Sequence, residues 1–158
     1  MHLVHAPLSS FDAALPEISV RVDRQKLAKR LWRAAAVDGT ELGFEVETPL
    51  RHGDVVWASD KARYVIRQEP EPVLEIPLDV KPDAAAVIGW AVGNLHFAIE
   101  AQATRLLAPD DTGLRQALDR MHIHYHEVVE VFQPHRFAGS LDGHGHAHGH
   151  EHGQHHHS

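Results

Sequence analysis

From Ser140 onward the composition shifts abruptly to Gly, His, Ala, Glu and Gln, with no apolar periodicity. Such a segment cannot bury enough apolar surface to offset the entropy of ordering it, so residues 140–158 are expected to be disordered without metal. Any hydrophobic core must therefore come from the first 139 residues of a 158-residue chain. That length suits one domain, or two small ones of about 70 residues each, and excludes the large barrel enzymes. An apolar fraction of 43% is ordinary for a folded protein.

Residues 1–72 read as a small all-β domain. In residues 17–23, Ile18, Val20 and Val22 alternate with Glu17, Ser19, Arg21 and Asp23, the period-two pattern of a half-buried strand. Further strands are expected at 42–47, 54–59 and 63–68, with turns at Asp38-Gly39 and His52-Gly53-Asp54. This spacing suggests a sandwich or barrel. Residues 24–36 are ambiguous: Leu27, Leu31 and Ala35 have helical spacing, and local pattern favours a helix. Six basic residues from Arg21 to Arg33 mark either a solvated face or a docking surface for an acidic partner.

Pro70, Pro72, Pro77 and Pro82 bracket a run at 73–80 that reads as a linker entering the first strand of a second domain, over residues 73–139. Asp83 is the expected cap of a helix in which Ala84, Val87, Ile88, Ala91, Val92 and Leu95 form one apolar stripe. A short strand region at 97–107, a helix opened by Asp110, Asp111 and Thr112, and a strand at 122–132 complete a βαββαβ order. The fold class is α+β.

The 15 Lys and Arg against 22 Asp and Glu give a net charge of −7 with histidine neutral, which argues against binding nucleic acid through phosphate neutralisation. Acid would change this balance, because the chain has 16 histidines. No apolar run approaches the ~18 residues of a membrane span, and the start lacks a signal-peptide pattern, so a cytoplasmic, soluble protein is expected. The absence of cysteine excludes disulfides and thiolate metal sites, leaving imidazole and carboxylate as the strong metal ligands.

The densest ligand signal is the tail, where His144, His146, His148, His150 and His152 alternate with other residues ahead of His155, His156 and His157. A flexible backbone can bring two to four such imidazoles around Ni²⁺, Cu²⁺ or Zn²⁺. A purification tag would usually be an uninterrupted run, whereas the alternation here looks encoded; a dispensable storage tail is compatible with a separate functional site. His96 lies at the end of the first long helix, where a lone histidine is either a C-terminal residue interacting with the dipole or a ligand. Gly93 and Asn94 tolerate left-handed backbone and are expected to end that helix and present His96 in a turn. His122, His124 and His126 would project from one strand face, as a facial metal site or simply as a polar surface. Zinc hydrolases that carry such a motif use larger scaffolds. Phosphate-binding loops, dinucleotide fingerprints and nucleophile elbows are absent from the sequence, so no catalysis is expected.

Taken together, these residues resemble the UreE family of urease accessory proteins, which are nickel metallochaperones, over nearly the whole chain. The resemblance rests on Arg33-Ala34-Ala35-Ala36-Val37-Asp38-Gly39-Thr40-Glu41, on Pro49-Leu50-Arg51-His52-Gly53-Asp54-Val55, on Val92-Gly93-Asn94-Leu95-His96, and on the His-rich tail. It implies a peptide-binding N-terminal domain in which residues 24–36 are strand, followed by a ferredoxin-like metal-binding domain. It also implies that His96 is the principal ligand for Ni²⁺, paired with its symmetry mate in a homodimer, with tail histidines completing the coordination. Zn²⁺ or Cu²⁺ would be able to bind the same sites. The implied partner is the urease maturation complex, including its GTPase accessory protein.

One departure from the family is the absence of the extra histidines that some members carry before the second helix, where this chain has Ala108-Pro109-Asp110-Asp111-Thr112. His122, His124 and His126 are candidate substitutes, and His135 is a further candidate ligand. Two other functions remain open on the sequence: a metal store using the tail alone, and a peptide-binding adaptor whose dimerisation is regulated by metal.

Overall fold

The computed structural model describes residues 1–135. The tail, with His144, His146, His148, His150 and His152 and its expected disorder, lies outside them. The described chain is mixed α and β, as expected. Two three-stranded sheets form the first half. Strands β1 (His2–Val4), β4 (Glu41–Glu45) and β3 (Leu31–Ala35) make one sheet in the order β1-β4-β3. Strands β2 (Glu17–Val22), β6 (Arg63–Gln68) and β5 (Val55–Ala58) make the other, in the order β2-β6-β5. Their inner faces share a core that includes Val20, Leu42, Phe44 and Ile66, and Trp32 stacks on Phe44 with ring centroids 3.7 Å apart. Both expected turns form around glycines in left-handed backbone, Gly39 at φ 87° and Gly53 at φ 90°. At each turn an aspartate fixes the loop, Asp38 accepting from Thr40 N and Asp54 from Arg51 N.

The helix favoured by local pattern over residues 24–36 does not form as a unit. Helix α1 (Arg24–Leu27) is a single turn capped by Asp23, whose carboxylate accepts from Lys26 N. The chain then straightens into β3, which pairs antiparallel with β4. Burial explains the switch, because Trp32 and Ala36 are buried while Leu31 is 74% exposed. Leu31 therefore cannot be on the core stripe of a helix with Leu27, and strand periodicity wins because it buries the indole. Strand β1 was not anticipated; its three residues are too few for a periodic signal, yet Val4 completes the core.

The second half runs β7 (Glu71–Pro77), α2 (Pro82–Asn94), β8 (Glu100–Ala101), β9 (Arg105–Pro109), α3 (Thr112–Arg120) and β10 (His126–Glu130). The strands form one antiparallel sheet in the order β10-β7-β9-β8. One face packs Leu74, Ile76, Leu106 and Ala108 against Val92 of α2 and Leu114 and Leu118 of α3. On the opposite face, Val73 and Leu107 cover Phe132, and Arg105 holds Glu75 and Glu130. Among the described residues, no helix is long and apolar enough to cross a membrane.

Three local expectations are corrected here. Lys81 rather than Asp83 precedes α2, Pro82 fills its first position, and Asp83 lies in the first turn, where its charge favours the helix dipole. Asp111 does cap α3, accepting from Gly113 N and Leu114 N, but Asp110 instead pairs with Arg115. The strand expected over 122–132 begins only at His126. Helix α3 ends with His122 at φ 55°, its N–H donating to the Asp119 carbonyl at 3.1 Å while Ile123 N donates to Leu118 O at 2.9 Å. These two bonds make a Schellman cap, which satisfies the last carbonyls of the helix and turns His122 away from the strand.

Two predictions follow from these contacts. His122→Gly removes the Cβ penalty of left-handed backbone and is expected to stabilise the fold by about 1 kcal/mol, checked by urea unfolding. The second concerns Glu130, whose carboxyl is held below its ordinary value of 4.5 by the hydrogen bonds from Arg105. A carboxyl whose value is depressed on folding adds stability above its unfolded pKa and loses it as pH falls through the folded one. The stability gap between the native chain and Arg105→Gln should therefore be full near about pH 7 and close on acidification below about pH 4.

Candidate metal centre

Helix α2 carries His96 to its position. Val92 is fully buried in the core between the sheet and α3, which fixes the last turn of the helix. Leu95 N donates to the Val92 carbonyl at 3.1 Å and His96 N donates to the Gly93 carbonyl at 2.9 Å. Gly93 and Asn94 stay helical, contrary to the expectation that they would supply the left-handed turn. His96 itself takes that conformation, at φ 62°. A non-glycine residue there costs about 1 kcal/mol or more, and such strain concentrates where a side chain has work to do. The imidazole is exposed and has no hydrogen-bond or ion-pair partner among the described residues.

The face of α2 that leads to His96 is apolar and uncovered. The expected single stripe is divided: Ala91 and Val92 are buried and Ile88 is half-buried, whereas Val87 and Trp90 are 62% and 69% exposed. An indole and an isopropyl group three residues apart, both in water, form a surface that globular proteins usually cover. With Ala84, Met121 and Ile123 they border an open groove of about 520 Å³. Sequence reasoning missed Trp90, although an aromatic three residues after Val87 and off the Ile88–Val92 line was the available signal.

The remaining histidines separate into distinct places. Among the described residues, no three His, Cys, Asp or Glu side chains converge as a metal cluster. The rings of His124 and His126 meet edge to face, with centroids 4.6 Å apart, while His122 is held away in its cap. His122 and His124 precede β10, so the three histidines do not project from one continuous strand face as the alternation suggested.

His135 ends a strap that leaves β10, crosses the sheet face opposite the helices and reaches the β8 edge. Its midpoint is pinned by Phe132, which is fully buried; the Phe132 carbonyl accepts from Gln68 Nε2 at 2.6 Å, and Arg24 lies over its ring at 5.1 Å. At the end of the strap, Gln133 N donates to Glu100, His135 N donates to the Ile99 carbonyl, and His135 Nε2 accepts from Ala101 N at 2.9 Å. The described chain thus ends beside the segment that follows His96. None of these strap contacts was legible in the sequence, because they join residues 33 to 108 positions apart.

A family model described as the C-terminal domain of the UreE urease accessory protein matches residues 71–158. The urease accessory protein UreE of Beijerinckia indica is 34% identical over 135 residues, which is 81% of this chain and 76% of that protein. That of Lysinibacillus sphaericus is 27% identical over 124 residues, covering 76% of this chain and 82% of its own length. In Polaromonas naphthalenivorans the identity is 35% over 113 residues, which spans 68% of this chain and about half, 54%, of the relative. With its βαββαβ half and its exposed His96 inside the matched region, the chain belongs to the UreE family of urease accessory proteins.

Proposed function

We propose that this protein is a nickel metallochaperone: a homodimer that takes Ni²⁺ between the His96 imidazoles of its two copies and delivers it to apo-urease during maturation. The observation that carries this reading is His96 itself, exposed, unpartnered and held in left-handed backbone at the end of α2. One imidazole is a weak ligand, but two facing copies preorganise half a coordination sphere and leave the rest open for exchange. The uncovered Val87 and Trp90 stripe on the same helix supports a two-fold contact, because pairing it with itself buries both indoles and sets the two His96 residues near the axis. Delivery requires no catalytic step.

The strap supports a contribution from the tail. Its end at His135 lies beside residues 99–101, which supports a role for the tail histidines in raising the local ligand concentration near His96. The separate cores support dividing the chain near residue 72 into a partner-binding all-β domain and a ferredoxin-like metal-binding domain. The partner in this reading is the urease maturation complex with its GTPase accessory protein, and its compartment is the cytoplasm.

Two measurements test this. In the full chain with every tail histidine replaced by glutamine, nickel calorimetry should find one ion per two chains, lost in both His96→Ala and His96→Gly. The glycine variant should at the same time unfold at higher urea, since it relieves the strained backbone by about 1 kcal/mol. Retained tight binding would move the metal to other histidines and favour a store. Trp90→Glu should convert the dimer to a monomer in light scattering and weaken nickel binding, because a charge would be buried in the contact.

A further inference from the structure

The geometry points to a docking cleft for an acidic, partly apolar segment of another protein, placed where the two halves of the chain meet. Helix α1, the turn at residues 50–52 and the strap at 132–135 border an open cavity of about 400 Å³. Leu27, Leu50 and Phe132 give it an apolar lining anchored in the cores of both halves, and Arg24, Arg51 and His52 supply the charged and polar side. Among the described residues no carboxylate lines it, although the chain carries a net charge of −7.

Donors gather at this cleft without acceptors to match them. The Arg51 backbone N–H donates to Asp54 at 2.7 Å, but its guanidinium has no hydrogen bond or ion pair among the described residues. Arg24 holds Glu71 through Nε and Nη2, which leaves Nη1 over. His52 Nδ1 accepts from Gln68 N at 3.2 Å, so the neutral ring carries its proton on Nε2. That Nε2 lies 3.4 Å from Arg67 Nη1, and two donors facing each other are satisfied only by an acceptor from elsewhere. The carboxylates of the adjoining strands are already engaged, Glu71 with Arg24 and Glu17 with Arg63 and Arg67.

The occupant is a protein segment rather than a small anion, because the cations continue past the cavity. Lys29 and Arg30, in the turn after α1, are exposed and form no ion pair among the described residues. Arg30 then borders a further groove together with Leu31, which is also exposed. A chain that alternates carboxylates with apolar side chains meets both demands: its charges lie on the arginines and its apolar groups cover Leu27, Leu50 and Phe132. This inference rests on the partner-binding role proposed above for the all-β half and adds the chemistry of the partner. It is read without metal, so it and the nickel reading can fail separately.

The test uses the full chain with chelator present at neutral pH, and the fluorescence anisotropy of a rhodamine-labelled peptide of alternating Glu and Leu. Saturable binding is expected, about tenfold or more weaker in Arg51→Gln and equally weakened when the peptide carries Gln in place of Glu. Arg51→Lys, which keeps the charge, should retain more of the affinity, and urea unfolding should show both variants as stable as the native chain. Lys29→Gln combined with Arg30→Gln should also weaken binding, whereas Lys61→Gln, an exposed cation between β5 and β6, should not. Displacement of the peptide by inorganic phosphate, with no effect of the Lys29 and Arg30 changes, would assign the cleft to a small anion and overturn the protein segment. No saturable binding, or an equal loss in Lys61→Gln, would overturn the cleft itself.

Discussion

The position of His96 depends on how α2 is anchored at its last turn. Val92 has no exposed surface, and once its side chain is fixed between the sheet and α3, the backbone beyond it has little choice. Leu95 N turns back to the Val92 carbonyl, His96 N to Gly93, and the φ of His96 is driven positive. Glycine would satisfy the same geometry without strain. A histidine there gives up stability to place an imidazole in water beside an apolar helix face, a compromise expected where a side chain must meet something outside its own fold.

The same sheet uses its second face for a different purpose. A buried Phe132, a hydrogen bond from Gln68 and the cation–π contact of Arg24 tie the strap to the N-terminal half, while Glu100 and Ala101 receive its end. The ion pair between Arg24 and Glu71, at 2.8 Å, crosses the same junction. The two halves are thus coupled through residues 132–135, whose placement is set by side chains far from them in sequence.

Much of this architecture was legible because a half-buried strand alternates, as residues 17–22 do, and because turn residues punctuate the others; 63–68 instead buries Tyr64, Val65 and Ile66 in succession. Reading failed where two periodicities competed or where burial sets the answer. Residues 24–36 carry helical spacing, yet only a strand buries Trp32 against Phe44. The alternation from His122 to His126 looked continuous, but the Schellman cap of α3 takes its first residue. For α2 the apolar pattern identified the helix but not which part faces the core, so Trp90 passed unnoticed. His96 was legible as a residue to watch, whereas its strained backbone and its uncovered neighbours are properties of the packed chain.

In the proposed mechanism one nickel ion is shared by two copies of His96. The most direct measurement mixes native chains with His96→Ala chains, both with tail histidines replaced by glutamine, and reads nickel in each dimer by native mass spectrometry. Native pairs should carry one nickel ion, while mixed pairs and doubly substituted pairs should carry none at the same free nickel. Mixed dimers that hold nickel as well as native dimers would contradict a shared site.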